Sequence, residues 1–345
     1  MSLLRWKVFS AAVFLAISIM TLSVVRAQDA QPMSEITLGG GGGTVVSGSG
    51  DSLAGANGDS VAVIDSDGGT ATVSATGTAG PEAIVFDGTY IWVAMQFSNT
   101  VTRVRAKDGV VSGTFAVGKR PIALLYAGSA IWVANYLSNN VTKLDPATGG
   151  VLGTYTVGEG PGGLGFDGTN IWVANRNSSN VTKLSKTGTV LGTFAAGKRP
   201  MGLAFAGGSM WIANNFGRTV TRLSTAGALV ATYPVGQGAF GVTAQGENVW
   251  ITNYFDKTVT KLRATDGLNL GTFKVGDGAA GMVFDGTNLW VVCNGDSTLV
   301  KVSPASGTIV ATYATGKGPF AVTYDGLNVW VSNFATNSVS KTAAN

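Results

Sequence analysis

Two short segments concentrate cationic charge in an otherwise mild sequence: Gly118-Lys119-Arg120-Pro121 and Gly197-Lys198-Arg199-Pro200. A guanidinium offers a planar fork of donors that matches a carboxylate or phosphate. At the corresponding places elsewhere the chain reads Gly-x-Gly followed by Pro or Ala, as in Gly158-Glu159-Gly160-Pro161 and Gly316-Lys317-Gly318-Pro319. Residues that leave a shared pattern are better functional candidates than those that obey it. Arg120 and Arg199, backed by Lys119, Lys198 and Lys317 around Glu159, therefore form a candidate anion- or carboxylate-recognising patch. Arg176, Tyr136 and Tyr254 lie in other variable loops, and their mixture of aromatic and polar groups suits a carbohydrate or peptide surface.

Other chemistry is excluded by what the chain lacks. There is no histidine, so Ser-His-Asp catalysis, His-ligated zinc and His-ligated copper or haem are all absent. The usual proton-transfer group near neutral pH is missing with them. The single cysteine, Cys293, has no partner within the chain for a disulfide. No base neighbours it, so it reads as a small buried filler. Each G-x-G leads into a strand pattern, which rules out a phosphate loop opening a helix. No catalytic residue, metal or cofactor is assigned.

The elements that must position these residues come from a repeat. Trp92, Trp132, Trp172, Trp211, Trp250, Trp290 and Trp330 recur every 39 or 40 residues. Around each lie a short apolar run, often Asp-Gly-Thr-Asn, then the Trp segment, Val-Thr-Lys-Leu, a Thr-Gly turn and Gly-Thr-Tyr-x-Val-Gly. Such a unit makes four short antiparallel strands, A to D, and seven of them make an all-β, seven-bladed β-propeller. Asp-Gly pairs supply the tight A–B turns. The Trp residues read as packing between blades, and the Asn three residues later (Asn135, Asn175, Asn214, Asn253, Asn333) as satisfying a strand end. The strand C cations, Arg103, Lys143, Lys183, Arg222, Lys261, Lys301 and Lys341, read as a solvated outer face with their stems packed down.

Ring closure is expected from the two chain ends. Seven A and seven B strands follow Pro81, but only six complete D strands do. The missing D strand is expected at Thr70 to Thr76, completing the last blade and removing free edges. Ser60 to Asp65 and Ser338 to Thr342 both resemble strand C, and the sequence leaves open which takes the slot.

The N-terminus reads as an export signal over residues 1–27: Arg5 and Lys7, then an apolar run from Val8 to Val25, then Val25-Arg26-Ala27. The competing reading is a retained membrane anchor. Residues 28–58, with five glycines at Gly39 to Gly43, read as a disordered linker, and 59–345 as the propeller. Removal of Arg5, Lys7 and Arg26 leaves 20 cations against 19 acids. A balance so near zero argues against nucleic acid as a partner. The expectation is an exported, periplasmic or extracellular monomer without a membrane span after cleavage. Its partner would be a small molecule, a glycan or an envelope protein.

Trp250-Ile251-Thr252-Asn253, with Trp-Val-Ala-Asn in other repeats, resembles the YVTN-type propeller repeat. The whole unit is similar to the propellers of the virginiamycin B (streptogramin) lyase group, over roughly residues 59–345. That resemblance implies a lyase working through histidine, glutamate and magnesium, and the family's histidine positions have no counterpart here. The primary expectation is a binding scaffold without catalytic machinery. The alternative is a histidine-free lyase or hydrolase, dependent on Mg²⁺ or Ca²⁺.

Overall fold

The computed structural model describes residues 31–37 and 79–344, and every regular element among them is a β-strand. Blade 1 shows the pattern: β3 (Pro81–Phe86), β4 (Tyr90–Met95), β5 (Thr100–Arg105) and β6 (Val111–Ala116) run antiparallel in that order. Blades 2 to 6 repeat it over residues 121–156, 161–195, 200–234, 239–274 and 279–314. Strands A line a central channel, and each packs against the strand A of the neighbouring blades.

Alternation of apolar and polar residues is lost on strand B because both of its faces are covered. Trp92, its two neighbours and their counterparts in the other blades have no exposed surface. In blades 1 to 6 the Trp ring lies 5.3–5.9 Å from an aromatic of strand D: Phe115, Tyr155, Phe194, Tyr233, Phe273 or Tyr313. For all of these but Tyr313, the next blade's C–D turn then closes over the aromatic through a glycine at positive φ. A Cβ at Gly149 would stand 1.9 Å from Phe115. Indole NH groups are satisfied within the blade, by the A–B turn aspartates Asp87, Asp167, Asp285 and Asp325 in four cases. Ala127 and Ala206 carbonyls serve Trp132 and Trp211, and Gln245 serves Trp250.

The strand C cations do more than the solvated face expected of them. Each sits 4.7–5.5 Å from its own blade's Trp ring. Each also donates to a backbone carbonyl of the following blade, at 2.6–3.3 Å, from Arg103 to Pro146 round to Lys341 to Ala106. The series is a set of seven inter-blade staples, and the Lys341 bond joins blade 7 to blade 1.

Closure uses N-terminal residues, but not the expected ones. Strand C of blade 7 is Ser338–Ala343, and its outer neighbour is β2 (Ser34–Thr37), antiparallel, with Ile36 opposite Val339. In blade 5 the same register sets Phe273 opposite Val259, so Ile36 occupies the place of the strand D aromatic and packs with Trp330. β1 (Gln31–Pro32) adds in parallel to strand D of blade 6 as a fifth strand. Residues expected as linker thus supply two strands at the seam. The expected strands Thr70–Thr76 and Ser60–Asp65 lie outside the described residues, as does the export segment.

Two substitutions test this seam. Ile36→Ala should cost about 2–5 kcal/mol by leaving a cavity against Trp330, and Lys341→Met about 1–2 kcal/mol by removing a carbonyl bond and a cation–π contact. The control is Val310→Ala, exposed on strand D of blade 6, with almost no expected effect. Chemical denaturation reads all three. An Ile36→Ala variant as stable as the control would show that this strand does not close the ring.

Candidate functional site

Backbone irregularity aims side chains into one mouth of the channel. In every blade the pairing of strand A with strand B slips just after the first residue of A. A bulge frees the following residue from the ladder and redirects it. The first residue so freed in each blade is Glu82, Ile122, Gly162, Met201, Phe240, Ala280 or Phe320, of which all but Ala280 line the channel; blades 4 to 7 free a second residue as well. Six of the seven are apolar or glycine. Glu82 is the exception, and sequence reasoning missed it.

Glu82 lines the channel and is half-buried. Burial pushes its carboxyl up from 4.5 to about 7, against the opposing charges of Arg120 and Arg176 and a hydrogen bond from Gln96. Gln96, itself buried, also accepts a 2.8 Å bond from Arg120 Nε. The Arg120 guanidinium lies 5.1 Å from the Tyr136 ring, and the Tyr136 hydroxyl donates to Asn177 Oδ1 at 3.0 Å. Acid, amide, guanidinium and phenol therefore form one chain across blades 1 to 3.

Arg176 reaches the same place from the B–C loop of blade 3. Burial depresses its pKa first, and the neighbouring charges of Arg199 and Arg120 depress it further. Its Nε is buried with no hydrogen-bond partner among the described residues. Beside it Gly162 leaves a notch. A Cβ there would meet Ile122, Arg176 and Met201 at an ordinary 3.6–3.7 Å, so packing does not require glycine. The adjacent Gly163 is different, since a Cβ would stand 1.9 Å from the Met201 carbonyl oxygen.

The two connector arginines hold a conformation that the other blades give to glycine. Arg120 has φ 56° and Arg199 φ 53°, while Gly80, Gly160, Gly238, Gly278 and Gly318 occupy the equivalent left-handed positions. A side chain there costs about 1 kcal/mol or more, and such strain clusters at functional sites. Arg199 stacks 4.4 Å from Phe216. Arg120, Arg176 and Arg199 thus form an arc over blades 2 to 4, with Tyr136 inside it.

The remaining expected residues fall elsewhere. Lys119, Lys198, Lys317 and Glu159 are exposed at the connector tips, outside the arc that the arginines make. Tyr254 stands across the mouth in blade 5, 6.2 Å from Phe240 and bonded to Asn294. Cys293 has no exposed surface, and burial pushes its thiol up to about 12, which leaves it a filler. One carboxyl beneath three guanidinium groups is a poor donor set for the divalent cation that the lyase resemblance implies. The signal for Glu82 was in the sequence: it is the one acid among seven equivalent positions.

No protein-family model matches this chain, and no curated protein sequence is similar to it. Solved structures do resemble it. Hydrazine synthase from Kuenenia stuttgartiensis matches at 19% identity and TM-score 0.71, over 79% of this chain and 98% of that one. A streptogramin B lyase matches at 18% and 0.68, over 76% and 93%. Virginiamycin B lyase from Staphylococcus aureus matches at 16% and 0.69, over 78% and 96%. At these identities the likeness is one of architecture: the chain is a seven-bladed β-propeller of the shape that virginiamycin B lyases have.

Proposed function

We propose that this propeller is a binding scaffold that takes an anionic small molecule at the channel mouth, between Arg120, Arg176 and Arg199. The observation that carries this reading is the arc itself. Two arginines stand in left-handed positions that five other blades give to glycine, and the third has a buried Nε without a partner among the described residues. Desolvated guanidinium groups bind anions more strongly than exposed ones. The basic and apolar N-terminal segment supports export, which would place the ligand in the periplasm or outside the cell. The mouth is small, so a small molecule suits it better than a glycan chain or an envelope protein. Glu82 is the one mouth group poised to move a proton near neutrality, which favours elimination or hydrolysis as a second reading.

The arginines can be removed without harming the fold. Arg120→Gly with Arg199→Gly restores the residue used by the other five connectors, so the melting temperature should hold or rise. Calorimetric titration with sulfate, phosphate and a panel of carboxylates should find a one-to-one binder in the wild type. The double variant should weaken that binding about tenfold or more. Unchanged affinity in the glycine variant would overturn the reading.

Glu82 sets the expected pH dependence. Because its folded pKa is raised, the native state holds a proton that the unfolded chain releases. Stability therefore falls as pH rises from 4.5 to about 7. The displacement corresponds to on the order of 3 kcal/mol. Glu82→Gln should abolish that part of the pH dependence in denaturation curves. Above about pH 7 the ionised carboxyl should also repel an anionic ligand. Wild-type affinity then drops while the variant's stays flat; parallel profiles would remove Glu82 from the site.

A further inference from the structure

The mouth is chemically two-sided, because blades adjacent in sequence are adjacent in space. Blades 2 to 4 carry the arginine arc. Blades 5 and 7 instead carry phenylalanine at the bulge position, and the loop charges of blades 5 to 7 stay on the outside, as in the exposed Lys257–Asp277 pair. There Phe240 and Phe320 reach over Ala280 and meet edge-on, with ring centroids 5.2 Å apart, and Tyr254 stands behind Phe240. Both phenylalanines line the channel and are only half-buried, so their faces are open to whatever enters. Below the mouth the wall continues apolar through Leu124, Leu164, Leu203 and Val242. The cavity holds about 230 Å³, under the roughly 300 Å³ at which sites for drug-sized ligands begin.

We infer that the ligand is a small amphipathic acid: one carboxylate for the arginine arc, joined to an aromatic-sized apolar body that packs on Phe240 and Phe320 and enters the channel. The inference rests on the anion-binding reading and adds the second half of the ligand to it. A fully hydrophilic anion would leave the two phenylalanines in water opposite its charge. A neutral apolar ligand would leave the buried Arg176 Nε without an acceptor. A molecule with both parts satisfies both halves at once, and the Gly162 notch gives its head a way down to Arg176. Edge-on packing of the two rings leaves a face on which a third flat ring can stack or meet an edge.

Three probes separate the parts: acetate as the head alone, 3-phenyl-1-propanol as the body alone, and 3-phenylpropanoate as both. Calorimetry on the folded wild-type protein should show 3-phenylpropanoate binding roughly ten- to a hundredfold tighter than either fragment, as expected for burying one ring beside an ion pair. Phe240→Ala with Phe320→Ala should reduce it to the level of acetate. Gly162→Leu, which fills the notch while keeping every charge and both rings, should block 3-phenylpropanoate more than tenfold. Its melting curve reports on folding independently. Equal affinity for acetate and 3-phenylpropanoate, both sensitive to Arg120→Gly with Arg199→Gly, would overturn this inference and leave the anion site standing. Failure of both acids to bind at tens of millimolar would overturn the two together.

Discussion

Each blade is tied to the next by a cation that has been taken half out of water. It lies over its own blade's indole and points its donors at a backbone carbonyl of the neighbour's C–D turn or, for Lys301 of blade 6, at the Ala344 carbonyl of blade 7. The arrangement works because three conditions hold together. The stem of Lys or Arg covers the Trp, the ring face attracts the charge, and the carbonyl satisfies the donor that burial would otherwise strand. A glycine at positive φ lets the same turn approach the strand D aromatic closely enough for the bond to form. Seven such ties close only if the angle between blades is constant, and that constancy fixes where each strand A meets the axis. Lys341 shows the cost of the arrangement, since burial holds its pKa below the ordinary lysine value, against the attraction of Asp325.

A ring fixed in this way can vary at its mouth without risk to its core. The bulge residue of strand A is outside the ladder, outside the Trp sandwich and outside the staples. Glu, Ile, Gly, Met, Phe, Ala and Phe occupy it in turn. The B–C loops are similarly free, because the buried Asn at the end of strand B secures them to the start of strand C. Where that Asn is replaced, by Met95 and Cys293, the replacement is fully covered. Sevenfold repetition therefore builds the scaffold, and departures from it build whatever the mouth recognises.

The blade count, the strand order and the aromatic core were legible in the spacing of seven tryptophans, because a period of 39 or 40 residues admits few packings. The arginines were legible as departures from Gly-x-Gly, but their strain was not, since φ is invisible until the connector is built. Glu82 was hidden in Gly-Pro-Glu-Ala, an unremarkable segment until the slip between strands A and B turns its third residue toward the axis. The stem packing of the strand C cations was legible but their inter-blade bonds were not, because alternation with threonine looks the same whether a lysine head meets only solvent or also a neighbouring turn. The closing strand was the hardest. Ser34–Thr37 is four residues long and stands just before a glycine run, so only its register, with Ile36 in the slot of an aromatic, distinguishes it. Thr70–Thr76 looks more like a strand D in its residues, and local likeness cannot decide which of two segments reaches a distant seam.

The electrostatics of the mouth explain why one acid is present among three guanidinium groups and does not simply neutralise them. Arg120 satisfies its Nε on the amide of Gln96 and rests its planar face on Tyr136, so it is held in place without drawing on Glu82. Arg199 rests on Phe216. Glu82, buried beyond what the nearby positive charges offset, holds its proton up to about pH 7. Below that pH the mouth therefore retains most of its positive charge and an unpaired donor on Arg176. An internal salt bridge would have satisfied both groups and removed the attraction for an anion from outside. A carboxyl that stays neutral while its neighbours stay charged keeps the site open to a ligand, and raises the free energy of the empty state in doing so.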